Sequence, residues 1–140
     1  MTVQNKVAMR RIFEEIWTQG NFEVADEILS PDYVGHFLPP GSPTGREGFR
    51  WYVQMYRTAI PNLYAQVDDM IAEGDKVVSR VTFRGTHTGP LMNIPPTGKE
   101  VTVTAMVMTR FENGQNVEAW AESDRFGLMQ QLGVIPATQH

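Results

Sequence analysis

The sequence predicts an α+β fold, with helices gathered in the first half and an antiparallel sheet in the second. Three observations carry this. Apolar residues recur at helical spacing in two early stretches, at Met9, Ile12, Phe13, Ile16 and Trp17, and again from Phe49 to Ile60. From Leu63 to Ser123 the pattern changes to strands punctuated by Gly74-Asp75 and Asn113-Gly114, two hairpin signals. Between two of those strands runs Gly85–Lys99, GTHTGPLMNIPPTGK, with three glycines, three prolines and a histidine in fifteen residues. Glycine opens unusual backbone angles and proline fixes them, so this is an ordered crossover with a set path. Helices first and a curved meander second place the helices over one sheet face.

Each element follows from local chemistry. Val3 to Gln19 reads as the first helix, with Arg10–Glu14 and Arg11–Glu15 as i,i+4 pairs on its wetter side. Gly20 suits its C-terminal cap, and Asn21 can cap a short second helix to about Leu29, closed by Pro31. Asp32 to Phe37 reads as a short strand before the turn-rich PPGSPTG. Thr44 and Glu47 make a capping-box pattern for a third helix with the stripe Phe49, Tyr52, Val53, Tyr56 and Ile60, ended by Pro61. Four strands follow, at Leu63–Glu73, Val77–His87, Val101–Glu112 and Gln115–Ser123. A short helix, Arg125 to Leu132, closes near Gly133 and Pro136.

The totals bound the function. The 140 residues fit one domain, 1–140, with a sizeable core. The net charge of −4 and the lack of a Lys/Arg run argue against a nucleic-acid surface. With no cysteine, disulfides, thiolate catalysis and cysteine-bound zinc are excluded. No carboxylate and imidazole set has metal-ligand spacing. No apolar run approaches the roughly 20 residues of a membrane span. The N-terminus lacks the layout of a signal peptide, so a cytoplasmic location is expected.

Several segments carry a family resemblance: FEEIWTQGN (Phe13 to Asn21), SPDYVGH (Ser30 to His36), the Gly45-Arg46-Glu47-Gly48 helix start, AEGDKVV (Ala72 to Val78), the Gly85–Lys99 crossover, and WAESDRFGLMQQLG (Trp120 to Gly133). With the order of elements, they make the chain resemble the SnoaL-like polyketide cyclases, also called the ester-cyclase family. These share the cone-shaped α+β barrel of ketosteroid isomerase and nuclear transport factor 2. The resemblance implies a homodimer, a pocket inside each cone and no cofactor. Cyclases of this family close a polyketide ring by intramolecular aldol addition, with an aspartate on the last strand as general acid/base. That aspartate falls at Ala121 here, and a histidine of the preceding strand falls at Val107. His87 does match a family position.

Strand parity tests the interior independently of the resemblance. On the last strand the odd positions are Val117, Ala119, Ala121 and Ser123; on the preceding strand they run from Val101 through Val107 to Phe111. This small, apolar side is expected to line a cavity under the helices. The even side, with Asn116, Glu118, Trp120, Glu122, Met106, Met108 and Arg110, suits an interface or a partly wet exterior. The cavity walls are expected from Phe13, Trp17, Tyr33, Phe49, Tyr52 and Tyr56, which otherwise serve as core. Met92 joins them as adaptable lining, with Val107 and Ala121 from the sheet.

The two strands offer no acid or base from their odd face, so catalytic candidates come from elsewhere. A histidine can work as acid or base, so His36 is a candidate to move a proton, or it anchors the proline-rich turn. His87 sits where a strand leaves the sheet, for function or to pin the crossover. Asp124 reads either as a pocket carboxylate or as the cap of the following helix. Glu15 is explained by its Arg11 pair.

The leading expectation is a cofactor-independent cyclase or isomerase of an apolar, polyketide-like molecule. It works by His-assisted proton transfer or by folding the substrate into a reactive shape. The alternatives are a binding protein with the same cavity and no chemistry, and a structural dimer module.

Overall fold

The structure, a computed structural model, describes residues 2–136. Helix α1 (Thr2–Arg11) runs on into a wider π-helical segment, Ile12–Thr18. A short α2 (Glu23–Ile28) leads directly into β1 (Leu29–Gly35), and α3 (Arg46–Ala59) follows. Then come β2 (Tyr64–Glu73), β3 (Lys76–Thr86), β4 (Glu100–Glu112), β5 (Gln115–Ser123) and α4 (Arg125–Leu132). The five strands form one curved sheet in the order β1-β5-β4-β3-β2. β1 pairs parallel to β5 at one edge, and every other pairing is antiparallel. The α+β class expected from the pattern is the observed one.

Besides a shift between Leu29 and Val34 on β1, two irregularities fall in the antiparallel ladders of this sheet. Pairing shifts between Val67 and Asp69 on β2, and between Arg110 and Phe111 where β4 meets β5. An extra residue on one strand of a pair kinks it and increases its twist. The concave side of the sheet is roofed by α1, the π-helical segment and α3. The core lies between them, from Ile12, Phe13 and Ile16 across to Val77, Val81 and Ala119.

Local chemistry differs from expectation at three places. The first helix is not α-helical to its end. In the π-helical stretch Thr18 Oγ1 bonds back to the Phe13 carbonyl (3.1 Å), and Asn21 N–H to that of Glu15 (2.8 Å). Arg57 then reaches over from α3 and donates to the carbonyls of Trp17 and Thr18, each at 2.8 Å. This satisfies acceptors that a helix end leaves open. Second, the Thr44–Glu47 capping box does not form. Gly45 occupies the cap position at φ 68°, ψ −160°, with no side-chain cap. A Cβ there would lie 2.3 Å from the Pro31 carbonyl oxygen, so only glycine fits. Third, β1 begins at Leu29 rather than Asp32, because α2 ends at once into the edge of β5.

The crossover is ordered, as its composition suggests. His87 N–H bonds the Lys99 carbonyl (2.9 Å) and Gly98 N–H returns to the His87 carbonyl (2.7 Å). Leu91 and Ile94 bridge each other, and Leu91 is fully buried. Gly89 passes so close to α3 that a Cβ would meet the Thr58 carbonyl oxygen at 2.1 Å.

Candidate functional site

Between the helices and the concave sheet face lies a cavity of about 960 Å³, including the space open to solvent at its mouth. Its sheet wall is the alternating set Val101, Val103, Ala105, Val107 and Thr109 on β4, with Ala119, Ala121 and Ser123 on β5. Parity alone places these on one side of the pleat, and their small volumes leave the hollow.

The roof is aromatic. Trp17 stands edge-on to Phe49 (6.2 Å between ring centroids), Tyr52 (6.1 Å) and Phe83 (5.0 Å). Tyr33 meets Phe49 at 5.8 Å, and Phe37 meets Tyr52 at 5.2 Å. Edge-to-face contacts of this kind fix ring orientation and keep the walls stiff. Phe13, Trp17, Tyr33, Phe49, Tyr52, Tyr56, Val107 and Ala121 all line the cavity.

Polar groups occupy its two ends. At the mouth, Arg125 opens α4 and donates to the Tyr52 hydroxyl (3.3 Å) and the Phe37 carbonyl (3.5 Å). Tyr56 packs on Tyr52, with centroids 5.1 Å apart. Burial is the main cause that pushes the Tyr56 phenol up, and neighbouring Tyr52 adds to it. Burial alone pushes the Tyr33 phenol up. Both phenols therefore stay protonated and can donate a hydrogen bond across the physiological range. At the closed end lie Thr109 and Asn116, both buried. Among the described residues that line the cavity there is no histidine, aspartate or glutamate.

The expected catalytic groups lie outside this hollow. His36 is on the opposite side of the sheet. Its Nε2 is 2.6 Å from Glu118 Oε2, and its ring stacks on Trp120 at 5.0 Å and 11°. Parity explains the correction: Tyr33 points inward, so His36, three residues on along an extended chain, points outward. Glu118 also accepts from Arg110 Nε at 3.0 Å. The His36 bond first, then Arg110, holds the Glu118 carboxyl below the usual range.

His87 is fully buried in the crossover and does not line the cavity. Thr97 donates to its Nδ1 through both Oγ1 (2.9 Å) and N–H (3.3 Å). The ring proton therefore sits on Nε2, which has no partner. The histidine pins the crossover to itself. Asp124 caps α4, its Oδ1 accepting from Gly127 N–H at 2.9 Å. Glu15 holds Arg11 at 2.7 Å. Met92 is a further correction. It is 60% exposed on the crossover, at φ 52°, and lies away from the cavity.

Sequence reasoning missed Arg125, Phe37, Phe83 and Asn116 as lining residues. Asn116 is instructive, because it holds an even position and was expected outside with Glu118 and Trp120. The pairing runs Arg110 with Glu118 but Phe111 with Asn116, so Val117 is an extra residue and the alternation inverts there. No residue type at that point signals the bulge. Arg125 was readable only as a helix start; its reach to Tyr52 depends on α3 lying beside it.

No group of acidic or histidine side chains among the described residues could hold a metal, and no helix among them is long and apolar enough to cross a membrane. No curated protein matches the chain in sequence. Solved structures do. IdmH from Streptomyces antibioticus is 33% identical, with a TM-score of 0.82 over 93% of this chain and 99% of its own. A Bacillus cereus protein is 30% identical, with a TM-score of 0.82 over 94% and 82%. Both are named as polyketide cyclases on a provisional basis. TsrD from Streptomyces laurentii is 29% identical, with a TM-score of 0.87 over 95% and 97%. These neighbours and the family match support a cyclase or isomerase kind of function. The family model for SnoaL-like polyketide cyclase matches residues 7–132, and the chain belongs to that family.

Proposed function

We propose that this protein is a cofactor-independent cyclase or isomerase of an apolar, polyketide-like small molecule, acting by folding its substrate inside the cavity. The observation that carries this reading is the lining itself. It is stiff, largely aromatic and aliphatic, and among the described residues it presents no carboxylate or imidazole to a bound molecule. Proton transfer by His36 or His87 loses its support, because one faces away and the other is sealed in the crossover.

Positioning alone can lower an intramolecular barrier by roughly 7–11 kcal/mol when the reacting atoms are held near contact. A chain of 1,3-dicarbonyl units enolises readily by itself, so the protein need not supply a base. What it can supply is a fixed fold of the chain and a donor for the oxygen on which charge develops. Arg125, Tyr52 and Tyr56 at the mouth are suited to that role.

The test is ring closure of a linear poly-β-carbonyl compound, followed by chromatography and mass. Ala121→Trp should block the cavity and abolish turnover. Arg125→Met should lower kcat by about 10²-fold, in the range seen when one oxyanion donor is removed. His36→Ala and His87→Ala should leave turnover within a few-fold. A tenfold fall in a folded histidine variant would restore proton transfer and sink templating. The same bare lining also favours a second reading, a binding protein without chemistry. Tight binding with the compound returned intact would select it.

We also propose a homodimer formed through the outer sheet face. Met106 and Val34 are exposed there beside Trp120 and the His36–Glu118–Arg110 network. A sedimentation mass of one chain at micromolar concentration would overturn this.

A further inference from the structure

The closed end of the cavity holds two buried side-chain oxygens without a hydrogen-bond partner. Thr109 Oγ1 and Asn116 Oδ1 have no hydrogen-bond partner, and the two residues are 0% and 2% exposed. Both line the cavity. A buried polar atom left unpaired costs about 1–3 kcal/mol, and valine or leucine would fill the same space without that cost. Asn116 faces inward only because the bulge at Val117 turns it. Bulges beside sites commonly re-aim a side chain in this way.

The two are placed to act together. Asn116 pairs with Phe111, and Thr109 is the next inward position along β4. Diagonal neighbours of this kind lie about 7–8 Å apart at Cα, and somewhat less at Cβ. One hydroxyl oxygen, at about 2.7–2.8 Å from each partner and with its donor and acceptor directions near the tetrahedral angle, bridges two oxygens about 4.5 Å apart. It donates to the Asn116 carbonyl oxygen and accepts from the Thr109 hydroxyl. Turning the Asn116 amide over exchanges acceptor for donor, and a hydroxyl still fits.

We infer that Thr109 and Asn116 form a polar anchor that selects ligands carrying a hydroxyl on the leading end of an otherwise apolar body. This rests on the reading of the cavity as a ligand site. The anchor decides which end of the molecule enters first, and so which end is left beside Arg125 and Tyr52.

The test compares 2-naphthol with naphthalene, by calorimetry, on the wild type, Asn116→Leu and Thr109→Val. The wild type should bind 2-naphthol at least tenfold more tightly. Each variant should bring that ratio below threefold, bind naphthalene at least as tightly as the wild type, and melt at the same or a higher temperature because an unpaired polar atom is gone. Equal affinity in the wild type would overturn the anchor, since buried water would then satisfy both atoms. A preference surviving in both variants would overturn it too, placing the hydroxyl at the mouth instead. In either case naphthalene binding leaves the cavity reading standing. If neither compound binds any form, the cavity reading falls and takes the anchor with it. Should Asn116→Leu not fold, the near-isosteric Thr109→Val carries the comparison.

Discussion

Tyr33 is enclosed by the aromatic roof, and its phenol can ionise only by placing charge in that apolar space. The native state therefore holds this proton more tightly than the unfolded chain, whose phenols ionise at about pH 10. A folded value raised above the unfolded one gives stability that is whole below pH 10 and is lost as the pH rises beyond it. Tyr33→Phe should flatten the alkaline limb of melting temperature against pH; an unchanged limb would mean that the phenol is hydrated. Glu118 works in the opposite sense. His36 first, then Arg110, hold its carboxyl below the ordinary glutamate value of 4.5. Its contribution is complete above that value and disappears as the pH falls through the lowered one. Glu118→Gln should therefore reduce the acid dependence of melting, and an identical acid slope would count against the His36 contact.

Elements are set by backbone requirements as much as by side-chain preference. The start of α3 shows this, because its residues match a capping box and its geometry does not use one. Gly45→Ala should cost about 1–3 kcal/mol in urea unfolding, through a glycine-only conformation and the Pro31 carbonyl behind it. Thr44→Ala should stay within about 0.5 kcal/mol, as for a surface site with no special role. The reverse order of effects would restore the capping box. The π-helical segment makes a related point. Apolar spacing in FEEIWT reads as helix either way, but only the wider turn places Phe13, Ile16 and Trp17 as they stand. Such turns are frequent at functional positions.

At the scale of the molecule, the question is whether the sheet's inner face encloses a dry hollow. Ala121→Asp would set a carboxyl into it among Val107, Ala119 and the aromatic roof. Its pKa should rise well above the ordinary aspartate value of about 3.9, read by NMR titration. An ordinary value would show that water fills the site and would weaken templating as a mechanism.

The sequence by itself determined the order of helices and strands, the β4–β5 hairpin at Asn113-Gly114, and the inward set from Val101 to Thr109. All of these follow from short-range periodicity and turn chemistry, which act over a few residues. It also pointed to the family, through segments spread along most of the chain. Tertiary structure alone decided where β1 docks, and thus that His36 faces Glu118 across the outer sheet face. It alone inverted the phase of β5 at Val117 and brought Arg125 to Tyr52. These outcomes depend on which strand finds which edge and on one unpaired residue in a ladder. Neither leaves a mark in residue type, because both are settled by contacts between segments far apart in the chain.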